Sequence, residues 1–375
     1  MEKIQMVDLK GQYVSIKSEI DSAIQQVIDS TNFIKGGKVT EFQQHLEEYL
    51  GVRHVIPVGN GTDALQIALM ALGLKPGDEV IAPTFTFIAT AEVIALLQLT
   101  PVLVDVDPHS FNITAEAFRK AITPRTKAVI PVHLFGQNAD MEEILSIAHH
   151  HGIAVVEDAC QSIGARYTFS DGRKVHSGCM GQIGCCSFFP SKNLGCYGDG
   201  GAVFTNDDQL AQRIRSIANH GMETRYYHDN IGVNSRLDSI QAAILDVKLK
   251  RLDEYTAARN RAAAYYDAAF EGHPSLLIPG RLANSEHVYH QYTLQLRGGV
   301  DRNKLIAHLA ELGVPAMVYY PVPVHQQKAY KSDLYADGDF PVAEALSKTV
   351  FSLPMHTELS DDQLNYITKS VLSFL

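Results

Sequence analysis

The sequence predicts an α/β protein with a mostly parallel central sheet and a smaller α+β unit at its C-terminal end. Three observations carry that prediction. Short apolar runs alternate with amphipathic helical stretches through the first half of the chain. Those runs are nearly continuous in Val, Ile and Ala, the mark of strands covered on both faces. From about residue 250 the style changes to strands and helices that follow the long helix, which reads as a separate α+β unit.

In chain order, Val55–Val58 reads as a strand, and Thr62 to Leu72 as a helix that ends before Gly73. Glu79–Ala82 is a strand, Thr90 to Leu97 a helix, and Val102–Asp105 a strand. Ala128–Val132 is a strand, Met141 to His150 a helix, and Ala154–Glu157 a strand. Ala202–Thr205 follows as a strand and Gln209 to His220 as a helix. Ser239 to Tyr266 reads as one long helix rich in Arg, Lys and Ala. Beyond it, Tyr289–Leu296 alternates like a strand, Arg302 to Leu312 is helical, and Ala316–Tyr320 is a strand. Asp361 to Phe374 is a terminal helix with Ser360 as its N-cap. The domain expectation is a large unit over 1–250 with an N-terminal arm and a small unit over 251–375.

The 375 residues are long enough to bury a substantial core without disulfides or metals. The chain is 46% hydrophobic and 20% charged, which excludes disorder, collagen and coiled coil as its dominant character. Lys and Arg number 32 against 42 Asp and Glu, a net charge of −10. Such a chain has no broad electrostatic footprint for nucleic acid or anionic lipid. A local basic pocket for a phosphorylated small molecule stays open. Met1 to Lys10 has no apolar signal core. Thr84 to Val104 is too polar for a membrane span and reads as loop, buried helix, turn and strand. The expectation is a cytoplasmic protein without nucleic-acid or membrane partners. Cys160, Cys179, Cys185, Cys186 and Cys196 form no C-x-x-C pair, so neither a disulfide framework nor a zinc site is expected. His149-His150-His151 fan out around a helix and read as a helix C-terminus rather than a metal tract.

Three segments carry candidate chemistry. Asn60-Gly61-Thr62-Asp63 lies between a strand and a helix, where free N–H groups and a positive dipole end suit a phosphate. Capping of the helix by Thr62 or Asp63 explains the same residues. Glu157-Asp158-Ala159-Cys160-Gln161 follows a strand, and a carboxylate there stands where open α/β sheets bind ligands. Asp158 could hold a proton on a ring nitrogen, or cap the next element. In Ser187-Phe188-Phe189-Pro190-Ser191-Lys192-Asn193-Leu194-Gly195, Lys192 stands among apolar and small residues. A desolvated amine of that kind suits a Schiff-base nucleophile, while a surface lysine is the plain alternative. Gly195 to Gly201 fails the G-x-G-x-x-G spacing and precedes a strand, which disfavours a dinucleotide enzyme. A phosphate cradle, an Asp after a strand and a Ser-x-x-x-Ser-Lys segment together are the three fixings that a pyridoxal phosphate ring requires.

These residues resemble the DegT/StrS group of pyridoxal-phosphate nucleotide-sugar aminotransferases, of aspartate-aminotransferase-like fold type I. The resemblance runs from Met6-Val7-Asp8-Leu9-Lys10 to the Tyr-Pro-Val-Pro segment near Tyr320. The stretch SFFPSKNLGCYGDGGAVFTNDD, Ser187 to Asp208, is most similar to the branch that aminates C3 of UDP-2-acetamido-3-oxo-glucuronic acid for O-antigen and other lipopolysaccharide or surface-polysaccharide synthesis. By matched motif, the resemblance implies that Lys192 forms the Schiff base and moves the proton, and that Asp158 pairs with the pyridinium nitrogen. It implies Gln161 at the phenolic oxygen, Phe87 on the ring, and Gly61, Thr62 and Ser187 at the phosphate. Asn234 matches a residue that reaches the phosphate from the other subunit, so a homodimer with shared sites is implied. Arg236, Tyr319 and Tyr320 match substrate positions, and a guanidinium at 236 suits a uronate carboxylate. The implied substrates are L-glutamate and a keto nucleotide sugar, with pyridoxamine 5'-phosphate as the intermediate cofactor form and no metal.

Three features depart from that branch: Tyr319 where it has His, Asn193 where it often has Pro, and a longer Tyr167 to Gly184 segment. They leave open a C3 or C4 aminotransferase of a dTDP- or UDP-keto-deoxy sugar. A dehydratase of the same group replaces the lysine with His, unlike Lys192. A non-catalytic regulator on the same scaffold has no need of Lys192, Asp158 and Gln161 together.

Overall fold

The computed structural model describes residues 3–332 and 334–375. The first two residues of the N-terminal segment discussed above therefore lie outside the described residues. Three helices open the chain: α1 (Leu9–Ser15), α2 (Lys17–Ser30) and α3 (Gly37–Leu50). None of them was expected from apolar runs, because α1 buries none of its residues and α2 and α3 bury only two and three. Ile20 of α2 buries against Ile244, and Phe42 and Leu46 of α3 bury against Phe188.

The central sheet has seven strands in the order β1-β9-β8-β5-β4-β2-β3. They are β1 (His54–Val58), β2 (Glu79–Pro83), β3 (Thr100–Val104), β4 (Thr126–Val129), β5 (Ala154–Asp158), β8 (Ile183–Ser187) and β9 (Gly201–Thr205). A short antiparallel hairpin, β6 (Arg166–Thr168) and β7 (Lys174–His176), occupies the long segment before β8. Only β9 runs against the others, paired antiparallel to both β1 and β8. The rest are parallel, as the continuous apolar runs predicted. Helices α4 (Gly61–Ala71), α5 (Ala89–Leu96) and α8 (Asp208–Ala218) cover one face, burying Leu65, Ala68, Ile94 and Ile214 on the sheet. Helices α6 (Ala115–Ala121) and α7 (Met141–His151) lie on the other, burying Phe118 and Ile144. The histidine run is the last turn of α7, closed by Gly152 at φ 63°. Burying large apolar side chains such as these contributes roughly 1.5–3 kcal/mol each.

The long helix expected over Ser239 to Tyr266 is two helices, α9 (Ser239–Leu249) and α10 (Leu252–Phe270). No Pro or Gly breaks it. Leu249 and Leu252 bury in the same cluster, and Arg251 leaves helical geometry to reach Glu19 at 2.6 Å. Tertiary packing overrides local propensity at that point. Residues Ala262, Tyr266 and Phe270 of α10 then enter a second core with a three-stranded antiparallel sheet, β10 (Leu276–Leu277), β11 (Tyr292–Leu296) and β12 (Val350–Leu353). Helices α11 (Arg302–Glu311), α12 (Pro341–Thr349) and α13 (Asp361–Leu372) complete this region. Ser360 caps α13, with Gln363 closing a capping box. The strand expected at Ala316–Tyr320 is reduced to one bridge, Met317 to Ser352, because the chain turns from there toward the large sheet. Val324 and Phe340 bury beside Phe85 and Phe111, so the second region also leans on the first.

His356, 3% exposed, follows β12. Burial, and then the positive Arg259, hold its imidazole down at about 4 from the ordinary 6.5. The unfolded chain therefore takes up this proton first. Stability is complete above pH 6.5 and is lost as pH falls toward 4. This group alone is expected to remove about 3 kcal/mol across that window. His356→Gln should flatten the fall of melting temperature between pH 6.5 and 4; an unchanged acid slope would exclude this account.

Candidate active site

β1, β5 and β8 run in the same direction, so their carboxyl ends meet at one edge of the sheet. A cavity of about 480 Å³ opens there, lined by Gly61, Thr62, Asp158, Ser187, Lys192 and Tyr320 among others.

At its base stands the N-terminus of α4. Asn60, not Thr62 or Asp63, is the cap: its side chain accepts from the Asp63 N–H at 2.8 Å. Among the described residues, the N–H groups of Gly61 and Thr62 find no backbone or side-chain acceptor and face the cavity. A Cβ on Gly61 would lie 2.7 Å from Ser187 Cβ and 2.9 Å from Cys160 Sγ, so only glycine lets α4 approach β8 this closely. Free N–H groups, a helix dipole and the Ser187 hydroxyl together suit a dianionic phosphate.

β5 delivers Asp158, 6% exposed, to the same cavity. Its Oδ2 accepts from Thr90 Oγ1 at 2.9 Å, and its Oδ1 from the Cys160 N–H at 3.2 Å. The neighbouring Glu157 points the other way and is fully buried. It accepts from the N–H groups of Gly178, Met180 and Gly181 at 3.0, 2.6 and 2.5 Å, and from His133 Nε2 at 2.8 Å. This clamp fixes the strand end from which Asp158 projects. Gln161 Oε1 accepts from the Phe135 N–H, and its Nε2 donates to Tyr320 Oη at 3.0 Å. Its amide is thereby oriented across the cavity.

Lys192 sits on a loop that folds back on itself. The Lys192 N–H donates to Phe189 O at 2.8 Å, and Cys196 N–H donates to Phe188 O at 2.9 Å. A Cβ at Gly195 would lie 2.3 Å from Pro190 O, so the return of the loop needs glycine. Burial lowers the Lys192 amine below the ordinary lysine value, against the opposing pull of Cys160 and Asp158. A neutral amine is the nucleophilic form. Cys160 and Cys186, pushed up by burial, stay protonated beside it. Phe87 and Tyr320 flank the opening, with ring centroids 6.2 Å apart.

The structure thus brings Gly61, Thr62, Phe87, Asp158, Gln161, Ser187, Lys192, Tyr319 and Tyr320 to one cavity. It does not bring Asn234 or Arg236 there. Asn234 is exposed, and Arg236 lines a different cavity of about 250 Å³ with Lys35 and Arg215. Among the described residues Arg236 makes no ion pair. The sequence names Asn60 and Glu157 within candidate segments without a role for either, and it does not point to Thr90, His133, His290 or Gln291. Only Asn60 left a legible signal, an Asx residue before a helix. No metal-binding group of three or more His, Cys, Asp or Glu occurs among the described residues. No helix is long and apolar enough to cross a membrane.

A buried amine, a buried carboxylate and an open helix N-terminus at the carboxyl edge of a mostly parallel sheet define a fold type I transferase. The chain belongs to the DegT/DnrJ/EryC1/StrS aminotransferase family, which it matches over residues 14–372. It is 46% identical to the UDP-2-acetamido-2-deoxy-3-oxo-D-glucuronate aminotransferase of Pseudomonas aeruginosa, over 97% of this chain and 98% of that protein. It is 45% identical to a pleiotropic regulatory protein of Geobacillus stearothermophilus, over 99% of this chain and 98% of that protein. Its fold matches the crystal structure of S. venezuelae DesV in complex with a ketimine intermediate, with TM-score 0.94 and 38% identity over 100% of this chain and 98% of that one.

Proposed function

We propose that the protein is a pyridoxal 5'-phosphate-dependent aminotransferase that moves an amino group from L-glutamate to C3 of a keto nucleotide sugar, UDP-2-acetamido-2-deoxy-3-oxo-glucuronate. The observation that carries this reading is the buried Lys192 amine facing Asp158 in the cavity at the sheet edge. The residues present fit the cofactor: N–H donors and a hydroxyl at one end, a carboxylate held by Thr90 at the other, and the amine between. When bound, the cofactor supplies an electron sink for the carbon being deprotonated.

The protein supplies the rest. Gly61, Thr62 and Ser187 hold the phosphate. Asp158 keeps a proton on the pyridine nitrogen, with Thr90 and the Cys160 N–H fixing both carboxylate oxygens. Gln161 orients the phenolic oxygen, and Phe87 covers the ring and excludes water. Lys192 Nζ removes the proton from the donor's α-carbon and later delivers one at C3 of the sugar. Asn234 and Arg236, on a loop outside their own protomer's cavity, serve the site of a second copy. Arg236 grips the uronate carboxylate there, and Tyr319 and Tyr320 line the sugar's approach. That arrangement requires a homodimer of subunits divided near residue 250. The setting is cytoplasmic synthesis of a lipopolysaccharide or related surface glycan.

A regulator on the same scaffold is the second reading, favoured by the Geobacillus relative's name. An absorption spectrum separates the two. Protein loaded with pyridoxal phosphate is expected to be yellow, to bleach with L-glutamate, and to regain its colour on addition of the 3-keto uronate nucleotide. No yellow band after incubation with the cofactor would sink the transaminase reading. Recovery of colour with a neutral keto-deoxy sugar but not the uronate would replace the substrate.

A further inference from the structure

Two polar side chains in the Lys192 cavity have no role in the site just described. His290 and Gln291 both line it, at 5% and 8% exposure. Among the described residues, neither side chain makes a hydrogen bond, and His290 Nδ1 is buried with no partner.. The surrounding chain is built to hold them there. Tyr289, just before them, is in the left-handed region at φ 43°, a conformation that a non-glycine residue adopts only under constraint. The constraints are visible. The Tyr289 ring stacks on His287 with centroids 3.8 Å apart. Arg259, a buried guanidinium, donates to the carbonyls of Tyr289 and Met355 at 3.0 Å each and of His290 at 3.4 Å. Asn193, next to Lys192, donates from Nδ2 to Val288 O at 2.8 Å. The segment is thus tied directly to the lysine loop.

Which atom His290 presents follows from its inner nitrogen. A buried N–H without an acceptor is rarer and costlier than a lone pair without a donor. The proton therefore sits on Nε2, which faces the cavity as a donor. Burial and the nearby Lys192 and Arg259 charges hold the ring well below its usual value, so it is neutral. The Gln291 amide adds two further N–H groups. Lys192 is the only cation lining the cavity among the described residues, and its amine is committed to proton transfer at the reacting carbon.

We propose that His290 and Gln291 form a subsite for a carboxylate of the amino donor, with His290 Nε2–H and the Gln291 amide N–H as donors to its oxygens. This rests on the aminotransferase reading. It adds a place for the amino acid that is separate from the sugar's.

The test uses full-length protein loaded with pyridoxal phosphate and titrated with L-glutamate, following the loss of the yellow band. His290→Ala and Gln291→Ala are each expected to raise the half-converting concentration by about tenfold or more. Gln291→Glu, which puts a negative charge at the same place, raises it further, while His290→Asn, which keeps an N–H donor, restores part of the loss. Cofactor affinity should stay within about twofold of wild type, consistent with groups that do not touch the cofactor. Identical glutamate responses in Gln291→Ala, Gln291→Glu and wild type overturn the subsite, whether or not His290→Ala folds. A parallel loss of cofactor affinity also overturns it, since the residues would then serve the cofactor. A wild type that binds cofactor but ignores L-glutamate overturns the donor reading itself, and the subsite with it.

Discussion

Replacing Lys192 by alanine is expected to abolish the borohydride-trappable covalent link to the cofactor and to lower turnover roughly 10⁴-fold. The structure explains why no neighbour substitutes. Lys192 is the only amine that lines the cavity among the described residues, and Cys160 and Cys186 beside it are held protonated by burial. The phosphate cradle on α4 and the Asp158 carboxylate do not depend on the lysine side chain. The variant should therefore still bind the cofactor, but without a covalent link to it. Its melting temperature should stay near wild type, because truncation empties part of a cavity rather than the core. Added methylamine, a small external amine, should restore part of the first half-reaction. A borohydride-trapped covalent link to the cofactor in Lys192→Ala would move the nucleophile elsewhere in the chain.

Asp158→Asn is the second large effect, and its signature is the reverse. The yellow band should persist, because Lys192 is intact, while the glutamate half-reaction slows roughly 10² to 10⁴-fold. An amide cannot keep a proton on the ring nitrogen as a carboxylate does. The change also disturbs the protein side. Both Asp158 oxygens accept, from Thr90 and from the Cys160 N–H. Asparagine offers one acceptor, so one of those donors is left facing an NH₂ group at about 1–3 kcal/mol. Stopped-flow absorbance at saturating L-glutamate reads the rate directly. A rate within a few-fold of wild type would remove Asp158 from the ring nitrogen.

The contrast between these variants reflects what sequence could and could not say. Lys192 and Asp158 were legible because each sits in an unusual local setting: a lone amine among small and apolar residues, and an acid at a strand's carboxyl end. The parallel strands were legible for the same reason, since burial on both faces writes a continuous apolar run. The three N-terminal helices were not, because α1 buries nothing and α2 and α3 contribute only narrow apolar stripes. The break at Arg251 was hidden because it is made by contacts with Glu19 and the core, not by a helix-breaking residue. His290 and Gln291 were missed for a related cause. Their segment looks like the start of β11, and only the strained turn at Tyr289 shows that they face the cavity instead of a strand's two sides.

The single reversed strand, β9, carries a consequence for how the site comes into being. It lies between β1, which leads to the phosphate end, and β8, which leads to the lysine. A Cβ at Gly201 would already sit 2.5 Å from Asn60, so the three strands close on one another with no room to spare. A chain emerging from the ribosome has the α4 end and the Lys192 loop before it has the strand that lies between them. Pairing β9 with β1, far back in the sequence, closes a long loop, which is entropically costly and slow. Cofactor capture then follows completion of the sheet, and from that moment binding to the native state alone draws the folding equilibrium forward.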